Sequence, residues 1–204
     1  MTDSEARSRA SIGARRSPAT EKAVLDAAES LLAETGYSGL SMDAVARRAR
    51  ASKATVYRWW PTRAHLLIGV YDRRKAQLAM RQSGPLETDL LDFFEALFGL
   101  WRQKPLGDLF RLLIAEAQFN PDAMAAMTQY AAERTRQTET IFTAAAARGE
   151  LAPHVDTAAA AEVAVALAWN HLLTNRIAPE DEELRAMVSH LAAGFTRGAK
   201  GASA

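Results

Sequence analysis

Four side chains in one short stretch carry chemistry that suits a polyanionic partner. Lys53, Thr55, Tyr57 and Arg58 lie within six residues of one another. Lys and Arg bind phosphate oxygens or the acceptor atoms of guanine, a tyrosine hydroxyl bonds phosphate, and threonine is short enough to let a helix approach base edges. Val56, between them, is the type of residue that a core contact requires. The stretch is therefore predicted to be a helix that reads DNA.

The elements before that stretch are predicted from helical spacing and capping residues. Apolar residues spaced as on one helix face follow Pro18, so we expect a first helix with Thr20 as its N-cap, ending near Gly36. Ser41 is expected to cap a short second helix that ends near Arg48. A brief break then leads to the polar stretch.

Two more caps place the presumptive DNA-reading helix and the one that follows it. Ser52 is expected to cap a third helix over residues 53–59, which Pro61 ends. Thr62 is expected to cap a long fourth helix over about 63–82. Its buried side is predicted to consist of Leu66, Leu67, Val70 and Tyr71. Two short helices joined by a tight turn form a helix-turn-helix, whose second helix enters the major groove.

The remainder of the chain is predicted to be helical. Residues 83–85 form the clearest break, since Gly84 and Pro85 interrupt helices. Helical spacing then predicts five segments, at 86–102, 106–118, 122–148, 156–175 and 180–197. No alternating apolar pattern bounded by hairpin turns is present, so the fold class is expected to be all-α, without a sheet.

Charge and composition give the expected domain organisation. Residues 1–81 contain 15 Lys and Arg against 8 Asp and Glu, whereas residues 82–204 contain 10 against 16. A basic first part on an acidic remainder indicates that only one end meets a polyanion. We expect four parts: a flexible basic arm at 1–17, a DNA-binding domain at 18–65, a larger helical domain at 66–197 and a flexible tail at 198–204.

The basic arm has two interpretations. Its arginines can enter the minor groove, or they can form a solvated tail that adds nonspecific affinity. The arginines in question are Arg7, Arg9, Arg15 and Arg16.

Several classes of protein are excluded or disfavoured. The chain has no cysteine, so disulfides and thiolate chemistry are excluded. No apolar run is long enough to span a bilayer and no signal peptide is evident, so we expect a cytoplasmic protein without a membrane partner. No phosphate-binding glycine loop or nucleophile motif occurs, and the histidines lack metal-ligand spacing. We expect no catalytic residues, no metal and no cofactor. The four histidines are His65, His154, His171 and His190.

Residues 24–67 resemble the TetR family of bacterial regulators without a gap. The matching residues are the apolar pattern of the first helix, Gly36-Tyr37, and the segments 41–46, 51–60 and 62–67. The resemblance implies an N-terminal three-helix DNA-binding domain with a helix-turn-helix, followed by a C-terminal helical domain for dimerisation and ligand binding. The residues that it implies for DNA contact are Thr20, Ser41, Ser52, Lys53, Thr55, Tyr57, Arg58, Trp59, Thr62 and Arg63.

Two positions depart from the family pattern. Many members have His-Phe where this chain has Trp59-Trp60, and many have Lys where it has Arg63. Trp60 and Val56 are interpreted as core residues. Trp59 is expected to stack or pack at the DNA surface, because an indole cannot replace both nitrogens of an imidazole.

The resemblance also implies a homodimer. A segment at 148–156 looks like a turn that precedes the last two helices of the family, which pair across a two-fold axis. Small and apolar residues on those helices suit an interface between copies, although burial within one chain is the alternative. The candidate interface residues are Val163, Leu167, Leu184, Met187, Val188, Leu191 and Phe195.

A small-molecule effector is expected to bind in the second domain and to bias the fourth helix. That motion would change the spacing of two recognition helices, which must match major grooves about 34–36 Å apart. Arg111 is the polar residue singled out, since apolar residues flank it on a predicted helix. The candidate lining residues are Phe98, Trp101, Phe110, Arg111, Ile114, Gln118, Met127, Tyr130, Trp169 and His171.

These observations predict a TetR-type repressor that a ligand releases from a palindromic operator. One alternative is a TetR-like activator or a ligand-independent DNA-binding protein. Another is a helical binding protein whose helix-turn-helix no longer contacts DNA.

Overall fold

The computed structural model describes residues 17–75 and 84–196, and within these ranges the chain is all-helical. The only extended pairing there is an isolated antiparallel bridge between Leu151 and Thr196. The prediction of an all-α fold is confirmed. The helices are α1 Pro18–Gly39, α2 Met42–Arg48, α3 Lys53–Trp59, α4 Arg63–Lys75, α5 Leu86–Arg102, α6 Leu106–Ala117, α7 Pro121–Ala147, α8 Thr157–Leu173 and α9 Asp181–Phe195.

The chain separates into two compact units, one up to Pro61 and the other from Thr62 onward. We call them the N-terminal unit and the C-terminal unit. Three expected features fall largely outside the described residues: the arm before Ser17, the part of the fourth helix beyond Lys75, and the tail after residue 197.

The N-terminal unit consists of α1, α2 and α3, and its core comes from one face of each helix. Val24 and Ala28 of α1, Val45 of α2 and Val56 of α3 are fully buried. The first helix does not begin at Thr20 as predicted. Ser17 is its N-cap and accepts from the Thr20 amide at 3.5 Å, because Pro18 takes the first helical position, where a missing N–H costs nothing.

The end of α1 agrees with the sequence. Gly36 has φ 66° and ψ −173°, which interrupts the helical geometry, and Leu40 is extended. An exposed ion pair then fixes α2 against α1. Arg48 donates through both terminal nitrogens to Glu34, at 2.6 and 2.8 Å, and bonds Ser30 at 2.9 Å.

The C-terminal unit packs α4 to α9 around an aromatic core. The predicted buried face of α4, formed by Leu66, Leu67, Val70 and Tyr71, is buried as expected. The five later helices begin and end within two residues of the predicted bounds. The core rings come from four helices, α4 to α7, and include Tyr71, Phe94, Phe98, Trp101, Phe110, Tyr130 and Phe142.

A buried carboxylate links the start of α5 to the segment between α7 and α8. Asp89 is 1% exposed and accepts from the Gly84 amide and from Arg148, at 3.1 and 3.3 Å. Arg148 also donates to Glu150, which in turn accepts from the Leu86 amide at 2.7 Å. The segment singled out at 148–156 thus holds the N-terminus of α5 in place.

Within residues 17–75 and 84–196, no helix is both long enough and apolar enough to cross a membrane.

Candidate nucleic-acid interface

The turn before α3 is fixed by local hydrogen bonds. Arg50 has a positive φ of 51°, and the Ala51 amide donates to the Ala46 carbonyl at 3.0 Å. Ser52 then caps α3, accepting from the Thr55 amide at 3.1 Å, and the two hydroxyls lie 2.8 Å apart. The tight turn and cap fix where α3 begins.

One side of α3 is buried and the other is exposed. Val56 is fully buried and Trp60, which caps the C-terminus, is 4% exposed. Both core assignments are confirmed. Tyr57 is 45% exposed although it is large and partly apolar, and Lys53 and Arg58 are also exposed. The exposed side of α3 therefore carries two cations and a phenol, groups that suit phosphate and base edges.

Lys53 is held in place without being buried. Its Nζ donates to Asp43 Oδ2 at 2.5 Å, and the two side chains are 63% and 45% exposed. An exposed ion pair of this kind contributes about 0–1 kcal/mol, so it can exchange for a stronger anion at small cost. Lys53 is thus positioned beside α2 and remains available to phosphate.

Trp59 lies at the edge of this surface. It is half-buried, its ring meets Trp60 edge-on with centroids 5.9 Å apart, and the Arg58 guanidinium carbon lies 6.0 Å from its centroid. An indole in this position packs against its neighbours and supports Arg58. Thr55 is half-buried beside the cap.

The two remaining candidates of the N-terminal unit lie at helix starts. Ser41 caps α2 and accepts from the Ala44 amide at 3.2 Å, as predicted. Thr20 lies in the first turn of α1, half-buried, rather than at the cap.

Two exposed cations beside α3 were not singled out from the sequence. Arg47 lies in the last turn of α2 and Arg50 forms the turn that follows, and both are exposed. Their position directly before the presumptive recognition helix was the signal that would have identified them.

Two candidates belong to the C-terminal unit. Thr62 caps α4 as predicted, accepting from the His65 amide at 3.3 Å, and its hydroxyl lies 2.8 Å from His65 Nδ1. Arg63 donates to Glu116 of α6 at 3.3 Å. Burial raises the pKa of Glu116, whose second carboxylate oxygen is buried without a hydrogen-bond partner. Arg63 therefore has an intramolecular anion where a phosphate was expected.

Comparison with known proteins agrees with this arrangement. The family described as "Tetracyclin repressor-like, C-terminal domain" matches residues 80–191, more than half of the chain. The chain belongs to the TetR family. The family described as "Bacterial regulatory proteins, tetR family" matches residues 24–70, which include all of α2 and α3. TetR proteins are helix-turn-helix transcriptional regulators rather than enzymes, as the sequence predicted.

Individual relatives include full-length matches. The HTH-type transcriptional regulator YdeS of Bacillus subtilis is 26% identical over 94% of this chain and 96% of its own length. A TetR repressor of Mycobacteroides abscessus is 38% identical, over 40% of this chain and 42% of its own. Among solved structures, the TetR family regulator SCO0332 is 28% identical, covers 87% of this chain and 99% of its own, and has a TM-score of 0.73.

The candidate effector residues are only partly brought together. Rings of Phe98, Trp101, Phe110 and Tyr130 lie within 6.2 Å of a neighbouring ring in the set. Trp169 meets Phe110 at 5.4 Å, and His171 stacks on Phe98 at 5.3 Å while its Nδ1 lies 2.8 Å from the Arg176 carbonyl oxygen. Met127 is buried and Ile114 is half-buried.

Two polar candidates have other partners. Arg111 donates to the Leu172 carbonyl at 2.9 Å, to Asp108 at 2.8 Å and to Asn175 at 2.9 Å, so it ties α6 to the end of α8. Gln118 is exposed and bonds the carbonyl of Ile114 on its own helix. Sequence reasoning missed the charged residues that do enter the aromatic core, above all Arg134.

The candidate dimer residues divide into two groups. Leu184 and Val188 are 7% and 1% exposed, so they belong to the core of a single chain, which corrects their assignment to an interface. Val163 is 48% exposed, and the other four are half-buried: Leu167, Met187, Leu191 and Phe195. A depression of about 330 Å³ lies between α8 and α9, lined in part by Leu167 and Met187.

Proposed function

We propose that this TetR-family chain is a homodimeric repressor that binds a palindromic operator and releases it when a small molecule binds the C-terminal unit. The observation that carries the proposal is the division of α3, in which Val56 faces the core while Lys53, Tyr57 and Arg58 face outward. A recognition helix needs that division, because its core side fixes the pose and its outer side enters the major groove. Such a protein acts in the cytoplasm.

Family membership supports the repressor assignment. The relatives include proteins named as repressors, among them KstR of Mycolicibacterium smegmatis, 33% identical over 36% of this chain. NalD of Pseudomonas aeruginosa, a secondary repressor of a multidrug efflux pump, shares the fold with a TM-score of 0.57.

The apolar faces of α8 and α9 support the dimer. Val163 and Leu173 are each about half exposed on α8. Exposed apolar side chains on adjacent helices are a site where a second copy can pack, and a two-fold dimer matches a two-fold operator. We propose that Val163, Leu167, Met187, Leu191 and Phe195 contribute to that interface.

Selection of bound DNA from a random pool tests the proposal in one experiment. We expect an inverted repeat whose half-sites are separated by about one helical turn of DNA, or a multiple of it. A single half-site, or no enrichment, would contradict a dimer on a palindrome. Steep weakening of duplex binding with salt would separate a DNA-binding protein from a helical protein that has lost that role.

A second measurement is needed to decide whether the protein represses or activates transcription. A reporter gene downstream of the selected operator is expected to be repressed by the chain, whereas an activator would raise expression. A ligand-independent regulator would bind the operator equally well whatever metabolite is added.

A further inference from the structure

One nitrogen of a buried arginine in the C-terminal unit lacks a hydrogen-bond partner among the described residues. Arg134 of α7 is 8% exposed, and none of residues 17–75 and 84–196 accepts a hydrogen bond from its buried Nε. Among the described residues, the carboxylate that lies opposite is Asp72 of α4, whose Oδ1 is 3.9 Å from Arg134 Nη2, beyond hydrogen-bond distance. A buried ionic donor left unsatisfied is costly, so such a group calls for a ligand or another explanation.

The charged groups around Arg134 include more positive than negative charge. Lys75 lies on the next turn of α4 after Asp72, and burial together with Arg134 lowers its pKa to about 7. Asp72 is the carboxylate that opposes both cations, and burial raises its pKa. Glu133 also faces this group, but it pairs with Arg136 at 2.6 Å. Two cations thus share one weakly placed carboxylate.

Aromatic rings also lie close to the guanidinium. The Arg134 guanidinium carbon lies 5.3 Å from the centroid of the Tyr130 ring, which in turn lies 5.9 Å from Tyr71 and 5.3 Å from Phe110. Trp101 donates to the Tyr71 hydroxyl at 2.7 Å. An apolar aromatic cluster with a few convergent polar groups is typical of a small-molecule site.

Arg111 provides an internal comparison. It lies in the same unit, yet all three of its nitrogens have partners: a carbonyl, a carboxylate and an amide oxygen. Arg111 thus has a structural role that is complete within the chain. Arg134 Nε has no such partner within the described part of the chain, and the difference points to an acceptor from a bound molecule.

We propose that Arg134 binds the carboxylate of a small organic acid with an apolar body, and that this acid is the effector. The inference rests on the proposed ligand-responsive function and names its ligand class. One carboxylate oxygen accepts a hydrogen bond from Arg134 Nε, and the other accepts one from a terminal nitrogen. This is the bidentate geometry that a guanidinium favours. The apolar body packs against the cluster of Tyr71, Phe110 and Tyr130.

Asp72 acts as the counter-ion in the absence of the acid. Its side chain is 42% exposed, so the polar side of the cluster reaches solvent there. An incoming carboxylate meets Lys75 and Arg134 at that side. Because the pKa of Lys75 is lowered to about 7, this side chain loses its charge as the pH rises through that value, and the acid should bind more weakly.

The test uses the full chain and two probes with the same skeleton, 4-phenylbutyrate and its neutral amide. Octanoate and octanamide form a second pair. Calorimetric titration and thermal unfolding are expected to show binding of the acids and at least roughly tenfold weaker binding of the amides, as charge-assisted hydrogen bonds require. The acids should also lower affinity for the selected operator.

Variants assign the effect to Arg134. Arg134→Met is expected to weaken binding of the acids to the level of the amides, and Arg134→Lys to recover part of it. Arg136→Met is the matched control, since Arg136 lies on the same helix but is 69% exposed. Circular dichroism and operator binding verify that each variant folds. If Arg134→Met does not fold, Arg134→Lys still tests whether the guanidinium is needed for binding of the acids.

The outcomes separate this inference from the proposed function. Equal binding of acids and amides, unchanged acid binding by folded Arg134→Met, or no binding of either acid would overturn the assignment of Arg134. Operator binding by the wild-type chain in the same samples decides the DNA-binding function independently. A neutral compound that releases the operator from wild type and Arg134→Met alike would leave the repressor proposal standing and remove this one.

Discussion

Charged residues are used in opposite ways in the two units of this TetR-family protein. In the N-terminal unit, Lys53 and Arg48 lie at the surface, each paired with a carboxylate that is about half exposed. In the C-terminal unit, Arg134 is enclosed, and its nearest carboxylate lies beyond hydrogen-bond distance. The first arrangement keeps cations exchangeable, which suits DNA. The second leaves a buried cation incompletely paired, which suits selective binding of a small anionic molecule.

The same comparison applies to apolar residues. The N-terminal unit exposes Tyr57 beside its basic residues, whereas the C-terminal unit buries most of its described aromatic rings, with Phe119 as an exposed exception. A large ring exposed beside basic side chains suits contact with a polyanionic partner, whereas enclosed rings provide stability. The predictions below test this division, beginning with the largest expected effect.

The largest effect should come from the aromatic core. Phe110→Ala removes a fully buried ring that contacts Tyr71, Tyr130 and Trp169, and should lower the free energy of unfolding by about 3–5 kcal/mol. Phe119→Ala is the matched control, because Phe119 is 91% exposed, and should change stability by less than about 0.5 kcal/mol. Urea denaturation measures both. Similar losses in the two variants would contradict the assignment of Phe110 to the core.

The recognition helix should show the next largest effect, on binding rather than on stability. Lys53→Ala and Tyr57→Ala should each weaken operator binding by about 1–3 kcal/mol, while the unfolding midpoint stays nearly constant. Lys22→Ala removes an equally exposed cation from α1 and serves as the control. Fluorescence anisotropy on the selected operator gives the affinities. If Lys22→Ala weakens binding as much as Lys53→Ala, general charge rather than α3 determines affinity.

The difference between the units also explains what the sequence can predict. Ser41, Ser52 and Thr62 were identified as caps because a cap depends on residues within one turn. Ser17 was missed in favour of Thr20, since both are good caps and only the backbone shows that Pro18 takes the first helical position. Local signals therefore specify helix positions well and their first residues less well.

Residues of the proposed effector site could not be predicted in the same way. Arg111 was favoured because apolar residues flank it, but its partner, the Leu172 carbonyl, lies 61 residues away in sequence. Arg134 was overlooked because nothing in its neighbourhood along α7 distinguishes it from an exposed arginine such as Arg136. Its significance depends on Asp72 and Tyr71, which α4 brings to it. Contacts between residues of separate helices cannot be predicted from the pattern of a single stretch of sequence.

A smaller effect, on stability at low pH, is expected from the ion pair between Arg148 and Glu150 in the C-terminal unit. The hydrogen bond from Arg148 lowers the pKa of Glu150 below its usual 4.5, so the pair stabilises the fold above that pH. The contribution should disappear as the pH falls through the lowered value. Glu150→Gln should therefore lose stability at neutral pH and approach wild type in acid. Thermal unfolding between pH 3 and 7 measures this, with Glu87→Gln as the control at an exposed position of α5.

The smallest predicted effect is the one whose sign is most informative. Arg63 donates to Glu116 at 3.3 Å, although the family resemblance places a phosphate contact at this position. If Glu116 and phosphate compete for Arg63, Glu116→Gln should strengthen operator binding by up to about threefold, since a partly exposed ion pair is worth about 0–1 kcal/mol. Glu182→Gln removes the same charge at the exposed start of α9 and should leave binding unchanged.

A double-mutant cycle decides whether that gain passes through Arg63. In an Arg63→Gln background, Glu116→Gln should no longer alter affinity, because the residue for which the two anions compete is absent. An equal gain in both backgrounds would instead reflect weaker repulsion between Glu116 and the phosphates, and a loss would show that Glu116 holds Arg63 in its binding pose. Since Glu116 belongs to α6 and Arg63 to α4, the first result would identify a contact through which displacement of α6 could change how firmly α4 binds DNA.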